Sequence, residues 1–291
     1  MPEHQRGQTL THRLLPGIAA VCVAGLLMAD AVAAQPSPGC DLPPLARPPE
    51  VFQVASGARQ AIVSVPAGHR PGRPHPLVFA FHGRTNDNAD VRRYFDLEEA
   101  AKEPTFFVYP AGLPDEGGRF TWSDPADPAS ALRDYALFDA ILDRMAATYC
   151  IDLDRVFVVG HSLGASFANS LACARGKRIR ALASVAGGIT PTACSGEVAA
   201  LLLHNPQDRL VPLNEGERAR DVLLGEPGKA REPVVKRDLG GFACRQHGPG
   251  ETPLLWCLHA QNMTPRNRFY PHQWPKGAAD TIMGFFAAQA G

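Results

Sequence analysis

A mostly parallel α/β sheet covered by helices on both faces is the fold class this sequence predicts, and three observations carry the prediction. From residue 76 onward, short apolar runs rich in β-branched and aromatic residues alternate with longer stretches of helical periodicity, the pattern of βαβ units. PLVFAFHG (76–83) is apolar without alternation, as expected of a strand buried on both faces. RVFVVGHSLGAS (155–166) runs from a β-branched strand through a glycine-flanked turn straight into a helical stretch. With 291 residues, 45% of them apolar, the chain can bury one core of this kind.

The elements follow in order. Arg6, His12 and Arg13 precede an apolar stretch from Leu14 to Met28, and AVAAQ (31–35) offers small residues for cleavage. Residues 1–34 therefore read as a signal peptide that directs secretion, extracellular or periplasmic, and 35–291 as one α/β domain. At 15 residues, with Asp30 close behind, the apolar stretch is too short for a membrane span. VFQVA and QAIVSVP form an edge hairpin, PLVFAFHG the first buried strand, and NADVRRYFDLEEAAKE a helix. TFFVYPAG is the next strand, followed by a Gly/Pro/Asp-rich loop containing Trp122. Around DYALFDAILDRMAATY, the residues Leu137, Phe138, Ile141, Leu142 and Met145 fall at helical spacing and read as core.

RVFVVG then supplies a central strand, SLGASFANSLACA a helix, and ALASVAGG, AALLLHNPQD and LLWCLH the remaining strands. GAADTIMGFFAAQ closes the chain as an amphipathic helix. Only ten residues separate ALASVAGG from AALLLHN, which leaves no room there for a large cap domain. In such a sheet, sites form where strands end at their carboxyl edge, and that edge should be open.

Composition excludes several classes. Lys plus Arg and Asp plus Glu are both 29, so no basic excess exists to neutralise nucleic acid or an anionic membrane. No CxxC or HExxH spacing points to a metal, and no motif points to an organic cofactor. Removal of Cys22 with the leader leaves Cys40, Cys150, Cys173, Cys194, Cys244 and Cys257, an even count that suits three disulfides outside the cytosol. Proximity in sequence favours Cys173 with Cys194 and Cys244 with Cys257, leaving Cys40 to tie the N-terminal segment to Cys150.

The turn at 160–164 carries the chemistry. Gly160-His161-Ser162-Leu163-Gly164 fits the G-x-S-x-G elbow, which lifts a serine hydroxyl above the sheet, and the strand before and helix after are the context it needs. An ordinary N-cap serine is the competing reading of the residue alone. A serine nucleophile requires a histidine base and a carboxylate to orient that base, in the chain order serine, acid, histidine. Asp208, at the end of ALLLHNPQD, supplies the acid. Of the downstream histidines, His259 ends an apolar strand, and His247 lies in the loop a Cys244–Cys257 bridge would close. His272, between the last strand and the last helix, is the candidate base, whereas His161 reads as structural. For the developing oxyanion, the Leu163 amide is one donor, and the Gly83 or Arg84 amide, after the first buried strand, is the other.

These residues resemble the secreted α/β-hydrolase esterases of carbohydrate esterase family one, which include feruloyl esterases and are related to polyhydroxybutyrate depolymerases. FAFHGRTNDNADVRRYF is similar to the family's oxyanion loop, GHSLGASFANSLACARGKRIRALASVAGG to its nucleophile segment, HNPQDRLVP to its acid loop and HQWP to its histidine loop. FHGRTN and ANSLACARG point towards feruloyl esterases. The acid loop departs from the family's His-Gly-x-x-Asp at Asn205, a residue that tolerates left-handed dihedrals. Tyr270-Pro271 stands where the family carries glycines, which implies a stiffer histidine loop.

The resemblance implies hydrolysis of hydroxycinnamoyl esters on plant wall polysaccharide, without cofactor or metal, in a pocket that Trp122, Trp274 and Tyr270 would line. Polyhydroxybutyrate or acetylated xylan is the alternative substrate, each again a polymeric ester. A catalytically silent polymer-binding protein is the alternative class, and the full set of Ser162, Asp208 and His272 argues against it.

Overall fold

The computed structural model describes Met1 and residues 34–43, 47–191, 193–225, 235–247 and 252–289. The leader read over 1–34 lies almost wholly outside the described residues. Among those described, no helix is long and apolar enough to cross a membrane.

Among the described residues the main sheet has ten strands. Strands β1 (Val51–Val54) and β2 (Gly57–Ser64) form the edge hairpin. Next in the chain are β3 (His75–Phe81), β4 (Phe106–Pro110), a small separate hairpin of β5 (Leu113–Pro114) and β6 (Phe120–Thr121), and β7 (Ile151–His161). The rest are β8 (Ala181–Val185), β9 (Ala199–His204), β10 (Val235–Leu239), β11 (Phe242–His247) and β12 (Leu254–Leu258). The order is β1-β2-β4-β3-β7-β8-β9-β12-β11-β10. From β4 to β12 all neighbours are parallel, and antiparallel hairpins finish both edges.

Two apolar layers cover the sheet because successive side chains of a strand point to opposite faces. Leu77, Phe79 and Phe81 of β3 pack with Phe138 and Ile141 of α3 (Arg133–Thr148) and with Phe167 of α4 (Leu163–Ala174). Val78 and Ala80 share the other layer with Val91 and Phe95 of α1 (Asn88–Phe95), Leu97 of α2 (Leu97–Ala100) and Ile282 and Phe286 of α6 (Ala278–Ala287).

Three elements differ from the sequence reading. The single helix read over NADVRRYFDLEEAAKE is two, because Asp96 adopts a left-handed conformation (φ 56°) that ends α1 and precedes α2. Helix α5 (Leu213–Leu223) and the β10–β11 hairpin fill the region before LLWCLH, where no element was expected. His247 is consequently the last residue of β11, paired with Leu254, rather than part of a loop.

Three disulfides join Cys40 to Cys150, Cys173 to Cys194 and Cys244 to Cys257. The first pins the N-terminal segment to the start of β7, where Ser37 Oγ also donates to the Tyr149 carbonyl (2.7 Å) and accepts from the Ile151 amide (2.9 Å). The third links directly opposed residues of β11 and β12. Each bridge should contribute about 3 kcal/mol by restricting the unfolded chain. Reduction of all three is therefore expected to lower the melting temperature by roughly 20 °C or more in calorimetry, and an unchanged transition in excess reductant would count against the bridges.

A buried ion pair braces the face behind the oxyanion loop. Arg59 of β2 meets Asp134 of α3 at 2.7 Å with both side chains buried, and Asp134 also accepts from the Ser123 amide (2.7 Å) and from Arg133 (2.8 Å). Arg59 donates further to the Ala111 carbonyl at 2.9 Å. Asp134→Ala would leave the guanidinium buried without its partner, at an expected cost of about 3–5 kcal/mol. An Arg59→Met, Asp134→Leu double variant should lose less, as read from urea midpoints, because no uncompensated charge remains.

Candidate active site

Four strands of the parallel block deliver the candidate residues to one edge. β7 ends at His161 and turns through Ser162 into α4. Ser162 is one of four non-glycine residues with positive φ among those described (59°), the strained geometry of a nucleophile elbow. Glycine is required on either side of it. A Cβ on Gly160 would lie 2.3 Å from the Gly164 carbonyl oxygen, and one on Gly164 would lie 2.2 Å from that of Phe81. The turn can therefore press against both its own helix and the end of β3.

The structure brings Ser162, His272 and Asp208 into one chain of hydrogen bonds. His272 Nε2 is 2.7 Å from Ser162 Oγ, and His272 Nδ1 is 2.6 Å from Asp208 Oδ2. The other carboxylate oxygen of Asp208 accepts from the amides of Leu210 (2.8 Å) and Val211 (3.1 Å). Burial alone would raise this carboxyl, but the hydrogen bond and charge of His272, with the two amides, outweigh it and hold the group below its usual range. A carboxylate so placed fixes the proton on Nδ1 and leaves Nε2 facing the serine as acceptor.

The oxyanion loop is set by residues on the opposite side of the elbow. A Cβ on Gly83 would come within 3.4 Å of Ser162 Cβ, so this loop packs directly on the serine. His82 is buried, and burial lowers its pKa. Its Nε2 accepts from the Gly112 amide (2.8 Å), so Nδ1 carries the proton and donates to the Gly83 carbonyl (2.8 Å). In a planar trans peptide this turns the Arg84 N–H to the side away from the His82 ring. Leu163 is the first residue of α4, and its N–H has no partner within the helix. The Arg84 side chain is exposed.

The three residues proposed to line a pocket fall in different places. Trp122 is a core residue: its Nε1 donates to the His82 carbonyl at 2.8 Å, and its ring stacks on Phe167. Burial therefore makes it an anchor beneath the oxyanion loop rather than a wall of an open pocket. Trp274 is half-buried and stacks on Phe95 at 3.9 Å between centroids, on the α1 side of the site. Tyr270 is exposed, with its ring 6.0 Å from that of His272.

The structure supplies the partners of several supporting residues, including His161, read from the sequence as structural. His161 Nε2 donates to the His272 carbonyl (2.9 Å), and its Nδ1 accepts from Tyr94 Oη (3.1 Å). Burial, with His272 nearby, pushes the His161 pKa down to about 3, so the ring stays neutral. His204 fixes the Val211 carbonyl (2.9 Å) below the acid loop. Asn205 does not use left-handed dihedrals. Instead its Oδ1 accepts from the Gln207 amide (2.9 Å) and its Nδ2 donates to Asn262 Oδ1 (2.9 Å), which joins the acid and histidine loops. The glycine–serine motif was visible because it is local, whereas these partners lie far apart in the chain. His161→Leu is expected to lower kcat about 10- to 100-fold with little change in KM, because the His272 backbone loses its tether.

No family model matches the chain. It is similar to feruloyl esterase C of Emericella nidulans, 28% identical over 232 residues that cover 77% of this chain and 79% of that protein. It is also similar to the probable feruloyl esterase C of Aspergillus terreus, 29% identical over 204 residues covering 63% and 71%. Among solved structures, an acetyl xylan esterase from Aspergillus awamori superposes with a TM-score of 0.56 at 13% identity, over 79% of this chain and 94% of the other. The fold is the α/β-hydrolase fold.

Proposed function

We propose that the chain is a serine esterase that hydrolyses carboxylic esters of hydroxycinnamic acids, foremost the feruloyl esters of plant wall polysaccharide. The observation that carries the catalytic part is the unbroken relay from Ser162 through His272 to Asp208, with contacts of 2.7 and 2.6 Å. Similarity to feruloyl esterases C over most of their length supports the acyl group.

In the reaction, His272 Nε2 takes the Ser162 hydroxyl proton as Oγ attacks the ester carbonyl carbon. The Leu163 amide and an amide of the Gly83–Arg84 loop receive the oxyanion, each donor contributing about 3 kcal/mol. Collapse of the tetrahedral adduct expels the alcohol, which leaves with the proton from His272, and a feruloyl group remains on Ser162. Water, deprotonated by His272, then attacks the acyl carbon and releases ferulate. Asp208 keeps the imidazole oriented and stabilises its protonated form. The aromatic acyl group would lie on the Trp274 side of His272, where Trp274 stacks on Phe95.

Export of the chain, with loss of residues 1–34, agrees with three disulfides, which persist in oxidising compartments. The substrate reading is tested by comparing kcat/KM for methyl ferulate, p-nitrophenyl acetate and acetylated xylan, with clearing of polyhydroxybutyrate granules alongside. Methyl ferulate is expected to be the best substrate. Cleavage of acetyl esters or of the polyester without ferulate release would replace the feruloyl reading with one of its alternatives.

A further inference from the structure

We propose that the hairpin leading into His272 is a subsite for carboxylate-bearing sugars, so that esters carried on uronate-containing polysaccharide are the preferred substrates; this rests on the esterase reading above. The hairpin is a rigid platform. Met263 and Phe269 form an antiparallel bridge, the Thr264 amide donates to the Arg268 carbonyl (2.8 Å), and the Asn267 amide donates to the Thr264 carbonyl (2.9 Å). Pro265 occupies the turn position its fixed φ suits, and Asn267 takes the left-handed dihedral (φ 57°) that closes it. The Tyr270 amide then ties the hairpin back to the Asn262 carbonyl at 2.7 Å.

This platform bounds a hollow of about 590 Å³ lined by Thr264, Pro265, Arg266, Arg268, Phe269 and Tyr270. The hollow is one side chain removed from the candidate base, because Tyr270, which lines it, has its ring 6.0 Å from that of His272 in an edge contact. Phe269 is 60% and Tyr270 42% exposed. Adjacent exposed aromatic rings in a concavity offer an apolar face of the kind that marks a binding site, and the C–H face of a sugar ring fits it.

The charge around the hollow selects which sugar. The chain as a whole is balanced, yet residues 259–277 contain Arg266, Arg268 and Lys276 and no carboxylate. Arg209 follows Asp208 on the acid loop, and Arg84 stands on the oxyanion loop. Among the described residues, none of these four arginines pairs with an acidic side chain; other arginines, Arg70, Arg73 and Arg144 among them, are likewise unpaired, so what distinguishes Arg266 and Arg268 is that they line the hollow and have no carboxylate in the segment around them. Guanidinium groups left unpaired around a site are suited to bidentate capture of a carboxylate, and a polysaccharide supplies one on each uronate. The alcohol side of the ester would thus be held by stacking on Phe269 and Tyr270 and by ion pairing to Arg266 and Arg268.

The test uses an oligogalacturonate and a neutral xylo-oligosaccharide of equal length. Binding is read by calorimetry on the Ser162→Ala protein, so no turnover is needed and the outcome does not depend on which acyl group the enzyme cleaves. The oligogalacturonate is expected to bind at least about tenfold more tightly than the neutral chain, with the difference shrinking as salt is raised. Arg266→Gln with Arg268→Gln should remove about tenfold of that affinity. Equal binding of the two oligosaccharides, or salt-independent binding that survives the double substitution, would overturn the proposal. Failure of the unaltered protein to hydrolyse methyl ferulate, p-nitrophenyl acetate and acetylated xylan alike would instead overturn the esterase reading itself.

Discussion

Ser162→Ala is expected to lower kcat/KM for ester hydrolysis by about 10⁴- to 10⁶-fold, with His272→Ala close behind and the double variant no worse than either alone. The non-additivity is the informative part. Once the serine is gone, a base poised 2.7 Å from it has no proton to take, and without the base the serine is a poor nucleophile. Asp208→Asn should cost up to about 10⁴-fold, because an amide in place of the carboxylate favours the wrong imidazole tautomer. Rates with p-nitrophenyl acetate across the set of variants check this. Losses that simply add would mean that the three residues do not act as a unit.

Acid is expected to destabilise the fold steeply, through buried histidines that must charge on unfolding. Burial lowers His161 to about 3 and His259 to about 4. In the unfolded chain both return to about 6.5. Above that value neither state binds a proton at these sites and stability is complete; as the pH falls below it, the unfolded chain gains protons that the folded chain does not. At pH 4.5 each histidine should therefore remove about 2–3 kcal/mol. His82 and His204, lowered by burial as well, act in the same direction. The carboxyls of Asp208 and Glu98, held low, keep their contribution over this range and lose it only as pH falls below about 4, where the unfolded chain protonates them. The urea midpoint should drop sharply between pH 7.5 and 4.5, and His161→Gln should flatten that drop. A midpoint that does not move over this range would contradict the account.

What the sequence made legible, and what it did not, follows from how local each signal is. The strand–serine–helix turn is announced within ten residues, because β-branched residues, two space-demanded glycines and a helical run all act at short range. The β10–β11 hairpin is not legible because VKRDL carries three consecutive charged residues between its apolar ends and lies almost wholly exposed at the sheet edge, so no alternation marks it. Helix α5 was missed because NEGERARDVL buries only Gly216, Ala219 and Val222, a narrow stripe that includes a glycine. That glycine is required by contact: a Cβ there would lie 2.5 Å from His204 Nδ1. Trp122 could be read either as a pocket wall or as an anchor, and only its bond to the His82 carbonyl distinguishes the two. The pairings that hold the site in register, His161 with His272 and Asn205 with Asn262, join residues 111 and 57 positions apart. No local pattern encodes such contacts.

Mass spectrometry of the protein quenched in acid during turnover of methyl ferulate tests the central claim most directly. The account predicts one feruloyl group, linked through an ester, on the peptide that contains Ser162, and no adduct or ferulate release from Ser162→Ala protein. Release of ferulate at an undiminished rate by the Ser162→Ala protein, with that peptide unmodified in both, would contradict it.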